Sequence, residues 1–146
     1  MDPAALAHLV TACAYAGFQW TVRVVVYPQL GAAGRAHPSG FPALEASHAR
    51  RTGRLVGPLF AAQVTTAAVL VAARPGSPAA WACAGATALV LVVTALGAVP
   101  QHRVLGRGWD AAAHRRLLAW DSVRVAAATA DAACAVLLAL GLPGAG

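Results

Sequence analysis

The chain contains no lysine, only five acidic residues and only three cysteines in 146 residues. Each shortage closes off a class of function. Cys13, Cys83 and Cys134 stand singly in three apolar runs, with no CxxC or CxxH pair, so neither a disulfide framework nor a compact zinc module is indicated. Thiols placed this way pack as small hydrophobes. There is no GxSxG, HExxH, glycine-rich phosphate loop or CxxCH, which leaves serine hydrolases, zinc proteases, nucleotide enzymes and c-type haem proteins without support. The formal charge of +6 comes from arginine alone. Those arginines border apolar runs and do not form a stripe with interleaved aromatics, so nucleic acid is excluded as a partner. The opening segment MDPAALAHLV is acidic and lacks a basic n-region, so the first apolar run is expected to be retained.

What the chain has in quantity is apolar length. It is 59% hydrophobic and 11% charged, against roughly a quarter charged in ordinary globular domains. Mean hydropathy is +0.63. The size predicts one domain. Four apolar runs, at about 4–27, 55–73, 80–99 and 117–142, approach the ~20 residues that cross a bilayer core. Short links between them predict an all-α, integral membrane, antiparallel four-helix bundle, with abundant small residues allowing close helix contact. The first run is expected to end at Tyr27-Pro28, and 29–40 to form a loop that Ser39 or Gly40 closes as a helix cap. An amphipathic connector helix is expected over 41–54, leading into the second span with Pro58 in its first turn. Pro100 is expected to stop the third span, Asp110 to cap the helix before the fourth, and the tail LPGAG to end it.

Arginine also predicts orientation. Arg35, Arg50, Arg51 and Arg54 fall in the first connector, and Arg103, Arg107, Arg115 and Arg116 in the third. The second holds only Arg74. Positive residues stay inside in short loops. Connectors 28–54 and 100–116 are thus expected to be cytoplasmic and both termini outside, in a multi-pass protein of the cell membrane.

Polar residues within such spans are functional candidates. Tyr15, Gln19 and Arg23 repeat every four residues on one face of the first span. Asp121, Arg124, Ala128 and Asp131 form a stripe on the fourth. Counting rise per residue places Arg23, Gln63, His102, Asp121 and Arg124 in one slab of the cytoplasmic leaflet, with Glu45 and His48 just above. His48, His102, Asp121, Arg124, Gln63 and Arg23 are therefore the candidate catalytic residues. Glu45, His48 and His102 are the candidate ligands of a single metal ion, if there is one, since Glu45-x-x-His48 presents a carboxylate and an imidazole on one face. A histidine beside a carboxylate equally suits proton transfer near neutral pH. The plainer reading is that Asp121 pairs with Arg124 or Arg23 only to dock helices, and that arginines near span ends snorkel. His8, His37 and His114 are expected to be solvated. Asp131, deeper in the bilayer, is expected to be neutral or paired with Tyr15 or Gln19.

Two classes of function fit. One is an intramembrane oxidoreductase whose substrate enters from lipid. The other is a non-catalytic membrane subunit or a small proton or solute transporter, which suits the depth of Asp131 better. Expected partners are the bilayer, a lipophilic small molecule and further copies of the chain in a homo-oligomer.

The series Trp20…Tyr27-Pro28, Phe41…His48-x-x-Arg51…Pro58…Gln63, Pro100-x-His102 and His114…Leu118…Asp121-x-x-Arg124 resembles the layout of small bacterial four-span membrane proteins and, more distantly, the anthrone oxygenase-like group. The likeness covers most of the chain through loosely spaced single residues. It implies oxidation of a lipophilic, polyketide-like aromatic without an obvious cofactor motif, at His48, Gln63, His102, Asp121 and Arg124. Glu45, Asp121-Ser122 and Ala128 depart from that group's pattern, which implies a different substrate.

Overall fold

The computed structural model describes residues 2–141. Four helices account for nearly all of it: α1 (Pro3–Ala36), α2 (Phe41–Ala73), α3 (Pro78–Leu105) and α4 (Ala111–Leu140). All four are long and apolar enough to cross a membrane. The expected stop at 142–146 lies outside the described residues.

Local chemistry sets the starts of three helices. Asp2 caps α1 by accepting from the Ala4 amide at 2.9 Å, with Pro3 in the first turn, and also pairs with Arg74 at 2.8 Å. Ser77 caps α3 through the Ala80 amide at 3.3 Å. Asp110 caps α4 as expected, accepting from the amides of Ala112 and Ala113 at 2.7 and 2.8 Å. These bonds satisfy donors that a helix cannot satisfy itself. Gly40 takes the cap position of α2 without a side-chain bond. Gly141 closes α4 at φ 64°, the left-handed conformation that glycine adopts without strain.

The helices form a closed ring in which α1 and α3 each pack on both α2 and α4. The links at 37–40, 74–77 and 106–110 are short, so neighbours run antiparallel. One end of the bundle carries the arginine-rich links and the other carries Asp2 and Arg74.

Two expected helix stops are not stops. α1 runs through Pro28 to Ala36, and α3 runs through Pro100 to Leu105. Proline removes the N–H that would bond the carbonyl four residues back, and its ring crowds that carbonyl. The carbonyls concerned belong to Val24 and Leu96. Each lies inside a five-residue π-helical segment, Val22–Val26 in α1 and Thr94–Ala98 in α3. The wider turn makes room for the ring, so the helix continues beyond it. α2 is likewise unbroken from Phe41, so the connector helix 41–54 and the second span are one element and Pro58 lies well inside it. α1, with 34 residues, is ~51 Å long and overshoots a ~30 Å hydrocarbon core.

The packing is inverted relative to a water-soluble bundle. Val10, Trp20, Val24, Leu55, Trp81 and Leu96 face outward, while His8, Gln19, Glu45, Gln63, Asp121, Arg124 and Asp131 are buried. An apolar outer surface of this kind fits a multi-pass membrane protein. Small residues bring elements close. A Cβ on Gly34 would stand 2.0 Å from the Trp109 ring, and one on Gly97 would stand 2.5 Å from the Trp120 ring. Both glycines are therefore notches filled by indoles.

Candidate functional site

Toward the arginine-rich end lies a cavity of about 350 Å³. Phe18, Val22, Val56, Phe60 and Val99 give it apolar walls, and both π-helical segments contribute, through Val22 on one side and Thr94 and Ala98 on the other. Insertions of this type recur beside functional sites because they displace a turn of helix and re-aim its side chains.

The polar wall of the cavity is a chain of bonds that can be assigned from chemistry. Arg124 can only donate. Its Nη2 gives a hydrogen to the Tyr27 hydroxyl oxygen at 2.7 Å. The phenol's own hydrogen is then available to His102 Nε2, 3.3 Å away. That leaves the ring proton on His102 Nδ1, which donates to Glu45 Oε1 at 2.5 Å. Cation, phenol, imidazole and carboxylate thus form one directed series from α4 through α1 and α3 to α2. Glu45 is 1% exposed, so it is no surface residue of an amphipathic connector.

Arg124 is held in turn by Asp121 Oδ1 at 2.7 Å, the i, i+3 pair expected from sequence. Asp121 also accepts from Gln19, whose Oε1 accepts from Tyr15 at 3.0 Å. Arg23 reaches Asp121 Oδ2 at 3.8 Å and donates to the Leu118 carbonyl at 2.9 Å. Arg124 lines the cavity and Asp121 does not. Asp121 is therefore a counter-ion and positioning group: its Oδ1 accepts from Arg124 and Gln19, while its buried Oδ2 has no hydrogen-bond partner and only the Arg23 charge nearby. The buried Nε of Arg124 and Oε2 of Glu45 have no hydrogen-bond partner.

Of the expected catalytic residues, His48, His102 and Arg124 line the cavity, with Asp121 directly behind. Arg23 lies on the outer side of that pair, about a third exposed. Gln63 is not there. Its Nε2 donates to Asp131 Oδ2 at 2.6 Å, in a separate cluster. Depth counted from residue 55 misplaced it, because the helices at the arginine-rich end extend past the expected stops. Nor do the expected metal ligands converge. Glu45 and His102 spend their facing atoms on each other, and the His48 ring sits 5.7 Å from the His102 ring, with Nδ1 3.4 Å from the Thr52 hydroxyl.

Two histidines expected in solvent are buried. His114 donates from Nε2 to the Tyr27 carbonyl at 3.3 Å, steadying the backbone that carries the phenol. His8 contacts Asp131 at 3.0 Å, so Asp131 is paired with His8, Gln63 and Thr87 and not with Tyr15 or Gln19. Tyr27, expected only as the end of the first span, is the middle of the bonded series. The signal for it was present: one further step of four from Tyr15, Gln19 and Arg23 reaches Tyr27. No family model, curated protein or solved structure matches the chain.

Proposed function

We propose that the chain is an integral membrane enzyme of oxygenase or related oxidoreductase type, acting on a lipophilic aromatic molecule in the 350 Å³ cavity. Its arginine-rich end lies in the cytoplasmic leaflet and both termini lie outside, by the charge asymmetry of the links. The observation that carries the reading is the meeting, on one wall of an apolar cavity, of a carboxylate–imidazole pair with a buried guanidinium that has an unused donor.

That wall suits removal of a proton from a weakly acidic phenol or benzylic C–H. His102 Nε2 takes the proton, with Tyr27 giving way or relaying it, and Glu45 stabilises the imidazolium. Arg124 and the Tyr27 hydroxyl hold the oxyanion that forms, where a low-dielectric wall makes such bonds strong. The resulting anion is electron-rich and reacts with dioxygen drawn from the membrane. For a benzylic CH₂, one oxygen atom ends in the product carbonyl, and the other leaves as water with the two hydrogens. His48, across from His102, contacts the bound ring and limits its size. Asp121 and Gln19 fix Arg124.

Dioxygen uptake by reconstituted protein, measured with a panel of lipophilic phenols and anthrone-type ketones, tests this. Loss of a general base removes ~10²–10⁴-fold in rate. Glu45→Gln and His102→Ala should therefore lower turnover at least ~100-fold while the protein stays folded. Turnover by His102→Ala equal to that of the unaltered protein, or no dioxygen-dependent turnover of any panel member, sinks the reading.

A further inference from the structure

The other half of the bundle holds a second buried cluster that this reaction does not use. His8 of α1, Cys83 of α3 and Asp131 of α4 each offer one ligand atom, and these atoms all lie within 4.8 Å of one another. All three residues are fully buried. α2 contributes Gln63, whose Nε2 is bonded to Asp131 and whose Oε1 is buried and meets no donor. Each of the four helices thus sends one residue to the same place.

One of the two tautomers of His8 leaves room for a cation. Asp131 Oδ2 already accepts from Gln63 Nε2 at 2.6 Å and from the Thr87 hydroxyl at 3.2 Å. Asp131 Oδ1 faces His8 Nε2 at 3.0 Å. His8 Nδ1 lies 3.1 Å from the Thr66 hydroxyl, whose single hydrogen has the Ala62 carbonyl at 2.9 Å, the Thr11 hydroxyl at 2.8 Å and His8 itself within reach. With Thr66 as the acceptor, Nδ1 carries the ring proton; with Thr66 as the donor, Nε2 carries it and donates to Asp131. In the first case the neutral ring aims the Nε2 lone pair at a carboxylate oxygen. Something positive belongs between them, and the arginines of the bundle interior are engaged at Asp121. A proton would serve, but it uses Cys83 only as a thiol hydrogen-bonded to Asp131 and not as a ligand. A divalent ion does, because one thiolate and one carboxylate cancel its charge in a medium that tolerates no excess. Of the other thiols, Cys134 neighbours Cys83 but also donates to the Ala79 carbonyl at 3.4 Å, and Cys13 is exposed.

We propose that His8 Nε2, Cys83 Sγ, Asp131 Oδ1 and Gln63 Oε1 bind one zinc-type divalent ion. Imidazole, thiolate and carboxylate are zinc's preferred donors, and all four helices together supply the four positions of a closed tetrahedral site. At zinc bond lengths of ~2.0–2.3 Å, ligand atoms stand roughly 3.3–3.8 Å apart. Small rotamer adjustments bring the present cluster to that spacing. Thr66 on His8 Nδ1 and Thr87 on Asp131 already orient two ligands from behind, the arrangement that fixes tautomer and ring direction in metal sites. The ion joins the four helices and takes no part in chemistry at the cavity, so this proposal stands or falls separately from the proposed reaction.

Cobalt(II) titration of chelator-stripped, thiol-reduced protein in nanodiscs is the test. One equivalent per chain should bind, with tetrahedral d–d absorption and a sulfur-to-cobalt charge-transfer band, and zinc should displace it. A Cys13→Ser/Cys134→Ser double variant should keep the band, which assigns the sulfur to Cys83 even if Cys83→Ser fails to fold. Where Cys83→Ser does fold, the band should vanish. Asp131→Asn should weaken binding at least ~10-fold. Glu45→Gln and His102→Ala should bind as the unaltered protein does. No stoichiometric cobalt, a band lost in the double variant, or a band retained in Cys83→Ser overturns the proposal and leaves a proton-linked hydrogen-bond cluster.

Discussion

The two buried polar clusters have similar components and opposite surroundings. Toward the arginine-rich end, Asp121 is neutralised by guanidinium groups that can never release their charge, and the bonded series beyond it borders open volume. In the other half, Asp131 is met by an imidazole, an amide and a hydroxyl, all buried. Between the two clusters in sequence lie the buried apolar residues Ala12 of α1, Val90 of α3 and Ala128 of α4. Polarity inside a membrane bundle therefore has two uses here. Beside a cavity it can act on a ligand, and without one it can only hold.

The sharpest way to break this comparison is to delete each carboxylate. Asp121→Ala leaves Arg124 charged, buried and unpaired, which costs about 3–5 kcal/mol. Asp131→Ala in chelator-treated protein removes the acceptor of Gln63 and Thr87 and strands no guanidinium, so the loss is that of unsatisfied hydrogen bonds, about 1–3 kcal/mol. Unfolding of the two variants in mixed micelles checks the order. Equal losses would mean that the guanidinium of Arg124 finds another partner.

A smaller effect separates packed from open regions. Gly97→Ala drives a Cβ into the Trp120 ring and should cost about 1–3 kcal/mol. Gly53 lines the cavity and a Cβ there meets nothing within 4 Å. Gly53→Ala should be stabilising by roughly 0.5–1 kcal/mol, since glycine within a helix is unfavourable. A thermal shift of the same sign in both variants would contradict the assignment of open and filled space.

The smallest effect lies at the surface. The amides of Ala113 and Ala112 hold the Asp110 carboxyl below its ordinary pKa. Its contribution is complete above the unfolded-state value and is lost as pH falls through the folded one. Asp110→Ala should therefore lower the melting temperature slightly at neutral pH, and the two proteins should converge in acid. A gap that persists in acid would point to something other than the cap.

The sequence carries the architecture in plain form, because apolar length and arginine placement are local properties. Four helices, the Asp110 cap and the buried stripe through Asp121, Arg124, Ala128 and Asp131 follow from spacing alone. Helix ends do not. Pro28 and Pro100 read as stops because nothing local announces a π-helical segment that absorbs the ring. That error moved the depth scale, and with it Gln63. Partners separated by long stretches of chain are beyond local reading too. His8 meets Asp131 only after four helices close a ring, so the sequence alone leaves it solvated; Glu45 and His102 are grouped by depth, but their direct bond also appears only once the ring closes.

Trp120 seated against Gly97 has a mechanical meaning. Gly97 belongs to the π-helical segment of α3, and Trp120 immediately precedes Asp121 on α4. The indole works as a detent. α4 cannot roll or slide by a fraction of a turn without lifting the ring out of its seat, so the compass bearing of Asp121 and Arg124 is set when the helices dock, before any ligand arrives. The proline that distorts α3 thereby indexes α4.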